Sequence, residues 1–202
     1  KTGFKAWYSP AVTSNVIRGE NFIGSVKEGG SVNFKEVMIN PHANMTHTES
    51  VGHISKEEVP VNRVLNRFHF IAQLISVKPT LMDGNLEKPI QKGDLCILKS
   101  AIEDKINPRA EAIIIKTQPN LEELKTKNYD GTNWPYLHPK TAAYIREKGI
   151  RHLLIDQPSV DKEFDDGMLL SHRAFWNYPS TLDQESTITE FIGLPDELKD
   201  GM

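Results

Sequence analysis

Apolar and polar positions alternate along this chain at two different periods, and together they predict a mixed set of elements. In "GENFIGSVKEGGSVNF", Gly19, Gly29 and Gly30 punctuate runs of β-formers, so the first fifty residues read as short strands and turns. Val61, Val64, Leu65 and Phe68 then recur at helical spacing, which predicts a short amphipathic helix. "FIAQLISV" reads as a buried strand, and "LEKPIQKGDLCILKSAI" as a surface turn leading into another. In "AEAIIIKTQ" the run Ala112, Ile113, Ile114, Ile115 is continuously apolar, as expected of a strand covered on both faces. "NLEELKTKNYDGTNWPYL" is polar and turn-rich, a loop suited to lining a site. "HPKTAAYIREKGI" predicts a helix, with Pro139 fitting its first turn and Gly149 its C-terminal cap. A strand "IRHLLID", a helix "DGMLLSHRAFW" and a strand "STITEFIGL" follow.

Strands and helices therefore mix without strict alternation, and there is no internal repeat, low-complexity tract or long linker. The pattern predicts an α/β chain in which residues 1–202 form one domain. The chain starts at Lys1 rather than methionine, and "LPDELKDGM" reads as a turn ahead of a further strand. Both ends are accordingly expected to be truncated.

Composition narrows the picture. A charged fraction of 25% and a hydrophobic fraction of 38% are those of a globular protein. A formal net charge of −3 argues against a nucleic-acid partner. No apolar run is long enough to cross a bilayer, so no membrane partner is expected. Cys96 is the only cysteine, so internal disulfides and a cysteine-rich zinc site are excluded. This usage is compatible with a reducing, cytoplasmic setting. Any metal would be held by nitrogen and oxygen.

Candidate chemistry concentrates in "NPHANMTHTESVGHI". Three of the chain's seven histidines, His42, His47 and His53, stand here with Glu49. If residues 47–53 are extended, His47, Glu49 and His53 share one face, whereas a helix would turn i and i+2 to different sides. Imidazole nitrogen with carboxylate oxygen suits zinc, manganese or iron(II). A histidine held off the metal could carry protons, because its ordinary pKa lies near working pH. Histidines also pack and hydrogen-bond without any ligand, and spacing alone leaves both readings open. Tyr129, Trp134, Tyr136, Trp7 and Tyr8 would suit a flat substrate, or equally the packing of loops onto the sheet. Asp156 and Ser159 could orient a substrate or simply make a turn. Cys96, in "DLCILK", reads as a small core residue.

The segment "THTESVGH" resembles the signature His-x-Gly-Thr-His-x-Asp-x-Pro-x-His of the cyclase family of metal-dependent hydrolases, which includes bacterial kynurenine formamidase and isatin hydrolase. Thr46, His47 and His53 match, with Glu49 in the aspartate position. "GIRHLLIDQPSVD" resembles a second family signature at Gly149, Ile150, Asp156, Ser159 and Asp161. His172 and Glu190 match a later histidine and glutamate.

The resemblance implies a mononuclear or dinuclear centre of zinc or manganese held by His47, Glu49, His172 and Glu190. Glu49 would bridge two metals where two bind, and His53 would act as general base and then general acid. It implies a mixed sheet curled toward a barrel with helices outside, a homodimer or higher homo-oligomer, and a small-molecule substrate. The implied reaction is hydrolysis of a C–N bond in an amide, formamide or lactam, of the arylformamidase kind. The alternative is a metal-binding, catalytically weak small-molecule binding protein of the same fold. Three positions depart from the pattern. Ala43 stands where the first histidine belongs, and His42, one residue earlier, joins the ligands only if a bulge restores its face. Glu49 reaches one methylene further than aspartate. Met45 and Val51 replace the glycine and the proline.

Overall fold

A computed structural model describes residues 3–84, 86–119 and 126–202. The opening part of the loop expected to line a site, residues 120–125, and the first two residues of the chain lie outside the described residues. The described residues group into two compact units, one within Lys1–Met45 and Glu123–Asp130, the other within Thr46–Glu122 and Gly131–Met202.

The first unit is built from the short strands and turns that its glycines predict. Strand β1 (Thr13–Val16) pairs antiparallel with β4 (Lys35–Met38), and β2 (Arg18–Gly19) with β3 (Phe22–Ile23). Phe22 and Phe34 meet edge to face, and Arg18 pairs with Glu28 at 2.6 Å. Helix α1 (Pro41–Asn44) closes this unit. Its proline occupies the start of the turn, where no N–H is needed, and the Asn44 side chain accepts from the Asn40 N–H at 3.1 Å. Residues 41–44 are thus helical, and the strand with a bulge considered for His42 does not form.

The second unit contains a five-stranded sheet. In chain order its strands are β5 (His47–Glu49), β6 (Ala72–Val77), β9 (Ala112–Thr117), β11 (His152–Ile155) and β12 (Thr187–Glu190). Across the sheet the order is β5-β12-β11-β9-β6, the last four parallel and β5 antiparallel to β12. Ile113, Ile115, Leu153, Ile155 and Ile188 are fully buried, which explains why these strands read as apolar runs rather than alternating ones. Parallel neighbours need crossovers. Helix α3 (Pro139–Glu147) lies between β9 and β11 in sequence and α4 (Leu170–Trp176) between β11 and β12, and the two helices pack together. Gly149, at φ +79°, takes the left-handed conformation past the end of α3, and its N–H bonds the Arg146 carbonyl.

A smaller sheet joins β7 (Thr80–Leu81), β8 (Leu95–Ile97) and β10 (Tyr136–Leu137), and α2 (Val61–Val64) supplies one turn of the predicted amphipathic helix. Cys96 is buried here as expected, and burial pushes its thiol up to about 11. At the other end of the chain Gly201 forms an antiparallel bridge with Leu74. Buried Lys116 donates to the carbonyls of Pro195, Asp196 and Leu198, which fixes the turn that precedes the bridge. The architecture is mixed α/β. The five-stranded sheet is open, with β5 and β6 at its edges, so the expected curl does not reach a closed barrel among the described residues. No described helix is long and apolar enough to cross a membrane.

Asp156 ties β9 to β11. Its carboxylate accepts from the Thr117 N–H (2.8 Å) and hydroxyl (2.9 Å), and Gln157 completes the cluster. Burial dominates and pushes this carboxyl up to about 6, against the Thr117 and Gln157 bonds, which pull it down. A raised carboxyl pKa means that the native state holds a proton the unfolded chain has released between about pH 4 and pH 6. Its contribution to stability therefore falls as pH rises through that window. Asp156→Ala strands two buried donors of Thr117 and is expected to cost about 2–3 kcal/mol in urea unfolding at neutral pH. An unchanged midpoint would show that the cluster contributes nothing.

Candidate metal centre

The antiparallel pairing of β5 with β12 sets His47 directly opposite Glu190, with Ile188 opposite Glu49. Side chains alternate along β5, so His47 and Glu49 share a face while Thr48 turns to the other, where its hydroxyl meets that of Thr189 at 2.8 Å. Glu190 ends a parallel strand and His47 begins the strand beside it. The group thus sits at the carboxyl ends of the parallel strands, where open α/β sheets bind ligands.

The second contribution comes from α4. Asp161, six residues past the end of β11, accepts from the backbone N–H groups of Ser171 (2.8 Å) and His172 (3.1 Å). Those donors belong to the first turn of α4 and have no partner within the helix, and the helix dipole favours a carboxylate there. The same carboxylate meets His172 Nδ1 at 2.6 Å, which turns Nε2 toward Glu49 Oε1 at 2.8 Å and Glu190 Oε1 at 3.6 Å. Glu190 also accepts from the Val160 N–H at 2.8 Å, and the Trp134 indole donates to the Asp161 carbonyl at 3.2 Å. Burial works against charge on His172, yet the bonds and charges of Asp161 and Glu49 outweigh it and hold the imidazole well above its ordinary value. Burial likewise opposes charge on Asp161, and His172 with the two N–H donors overcomes it and keeps that carboxyl below the usual range.

His47, Glu49, Asp161, His172 and Glu190 are all at least 91% buried. Three carboxylates stand against two imidazoles, so with its carboxylates ionised the group is anionic even when both imidazoles carry a proton. His47, Glu49 and Glu190 each offer one ligand atom, and these lie within 4.8 Å of one another. A compact, buried, net-negative set of nitrogen and oxygen donors fits a divalent cation, with zinc and manganese both suited to it.

His47, Glu49, His172 and Glu190 are thus brought together. His53 lies beside them by a different route from the expected one. The strand ends at Glu49, and Val51–His53 form a 3-10 turn. Ser50 organises this turn, accepting from the Gly52 N–H and donating its hydroxyl to the Val59 carbonyl. Gly52 leaves no room for a Cβ, which would stand 2.6 Å from the Val59 oxygen. The turn brings exposed His53 back to Glu49, with Nδ1 at 3.4 Å from Oε2 and its ring 5.6 Å from that of His172. His42 belongs to the other compact unit, on α1.

Asp161 matches the second signature, and the resemblance implies no role for it. Its place ahead of a helix that carries a candidate ligand is the signal that would have assigned one. Ser159 accepts from the Asp161 N–H and so makes a turn. Tyr129, Trp134 and Tyr136 are buried, which is the packing outcome, whereas Trp7 and Tyr8 are exposed.

A mixed α/β unit with a buried histidine–carboxylate group at the carboxyl ends of its strands defines a class of potential metal-binding proteins. The Cyclase family model, described as "Putative cyclase", matches residues 2–162, and the chain belongs to that family. The match takes in the first signature and Asp161 and ends before His172 and Glu190, which the fold brings to the same place. No curated protein sequence matches the chain. Among solved structures, the chain is similar to a predicted metal-dependent hydrolase from Bacillus stearothermophilus at 13% identity and a TM-score of 0.56, with 94% of this chain and 75% of that one covered. It is similar to isatin hydrolase A from Labrenzia aggregata bound to benzyl benzoate, at 14% identity and 0.57, with 94% and 73% covered. An isatin hydrolase bound to the product analogue thioisatinate gives 15% identity and 0.52, with 95% and 73% covered.

Proposed function

We propose that the protein is a metal-dependent hydrolase that cleaves the C–N bond of a small amide, formamide or lactam. The observation that carries this reading is the convergence of His47, Glu49, His172 and Glu190 from three separate elements into one buried donor set. Membership of the Cyclase family supports it, as does likeness of fold to isatin hydrolase, whose substrate is a cyclic amide.

In this reading His47, Glu49, His172 and Glu190 hold the cation, zinc or manganese. When bound, the cation polarises the carbonyl and lowers the pKa of water from about 15.7 toward about 7 in the best cases. Asp161 fixes the tautomer and direction of His172 by holding Nδ1, and Trp134 braces the Asp161 backbone. His53 stands at the exposed edge, where a substrate and its water can reach it. It takes one proton from the attacking water and returns one to the nitrogen as the C–N bond breaks, leaving a carboxylic acid and an amine.

Elemental analysis of purified protein, with hydrolysis of an aryl formamide and of isatin followed by absorbance, tests the proposal. We expect one or two equivalents of metal and turnover that a chelator abolishes. Metal without turnover of any amide would make this a small-molecule binding protein, and no metal would remove both readings.

We also propose that the chain forms homodimers or larger homo-oligomers. Val37 and Met38, on alternate faces of β4, and the flanking Phe34 and Ile39 expose apolar side chains in the first unit, which a second copy would cover. Light scattering at micromolar concentration is expected to give at least twice the 22.8 kDa chain mass, and a monomer mass would rule this out.

A further inference from the structure

The opposite end of the five-stranded sheet carries a second site. A cavity of about 670 Å³ opens beside the residues that immediately precede β6, β9, β11 and β12. The length of β12, about 10 Å of extended chain, lies between it and the histidine–carboxylate group at the carboxyl ends. Four arginines line it: Arg63 on α2, Arg67 just beyond it, Arg109 before β9 and Arg151 before β11. They come from three stretches of chain far apart in sequence, so the fold, not a basic run, assembles them.

Two of the four are paired. Arg67 meets Glu111, and Arg151 meets Glu185 at 3.3 Å. Among the described residues Arg63 and Arg109 have no ion-pair partner. Four arginines against the two glutamates of the lining leave two positive charges uncompensated in a concave space. Arg67 also lies over the Phe70 ring at 4.8 Å, and that ring packs tilted against buried His152 with centroids 3.8 Å apart, so the three form one wall. Burial first, then the charge of Arg67 and last that of Arg151, hold the His152 imidazole below its ordinary value, against the opposing charge of Glu111.

Like charges gathered in a cavity repel one another unless something anionic offsets them. Guanidinium groups present forked N–H donors matched to phosphate and carboxylate oxygens. The volume is that of a small-molecule pocket, within the usual range of about 300–1,000 Å³. We propose that this cavity binds a small polyanion bearing phosphate or carboxylate groups, with Arg63 and Arg109 as its principal contacts. The site is separate from the candidate metal centre, and its occupancy does not depend on the hydrolase reading.

Isothermal titration calorimetry of the metal-loaded protein with phenyl phosphate and, separately, with tricarballylate tests this. The comparison is with an Arg63→Ser/Arg109→Ser variant whose metal content and circular dichroism match the parent. Saturable binding of at least one probe is expected, weakened about tenfold or more in the double variant and by added salt. Which probe binds identifies the anion class. No binding of either probe at millimolar concentration, or binding that the double variant leaves unchanged because the anion sits on the metal, would overturn the proposal.

Discussion

Glu49→Gln is expected to weaken divalent-metal binding by about 100-fold or more while the metal-free protein melts at nearly its original temperature. Glu49 is the hub of the candidate centre. One of its oxygens meets His172 and the other faces His53, and it lies within ligand distance of His47 and Glu190. Glutamine keeps the size of the side chain and an oxygen that can accept from His172 Nε2, so the apo structure retains its packing. It loses the negative charge that a cation requires. Metal that binds only the native state adds stability as RT ln(1 + [L]/Kd), about 2.7 kcal/mol at 100 times Kd. The variant should therefore lose most of the rise in melting temperature that the parent shows on adding zinc or manganese. Chelator competition measures the affinity and calorimetry the melting. Parent-like affinity in Glu49→Gln would remove Glu49 from the ligand set, and with it the centre of the proposed function.

The parts of this site that were legible in the sequence are those in which local period and local geometry agree. His47 and Glu49 alternate on a strand, and Glu190 falls on one too, so their faces follow from position alone. Ile113 to Ile115 read as a covered strand because parallel strands in this sheet have no solvent face to mark. What was not legible depends on pairings over long distances or on turns. That β5 is antiparallel to β12, so that His47 opposes Glu190, joins residues more than 140 positions apart, as in the Thr48–Thr189 contact. His53 was expected on the strand face by parity, but Ser50 ends the strand and a 3-10 turn delivers the side chain instead. The proline after Asn40 starts a helical turn and takes His42 out of any strand register. Asp161 carried no visible role because its partner, His172, lies eleven residues on, across a loop, and only the cap at α4 joins them.

His53→Ala is expected to cut turnover by roughly 100-fold or more while metal content stays full. Two features set His53 apart from the other candidate residues. It is exposed, whereas His47 and His172 are buried, and its Nδ1 stands 3.4 Å from one oxygen of Glu49. A proton carrier needs contact with solvent and substrate and a nitrogen not held by metal, and the exposed edge supplies the first. A ligand needs its nitrogen occupied, and its loss lowers affinity by at least the roughly 10–100-fold seen for residues that merely support a metal site. The two roles thus predict opposite metal contents for the same variant, with activity low in both. Removing an exposed side chain from the end of a turn anchored by Ser50 and Val51 should leave the fold intact, so the comparison is clean. Added imidazole should restore part of the lost rate if His53 moves protons, because a small base can enter the space it leaves. Activity and bound metal measured on one preparation decide between the roles. Metal lost together with activity would make His53 a ligand, and full activity with full metal would leave it outside the mechanism.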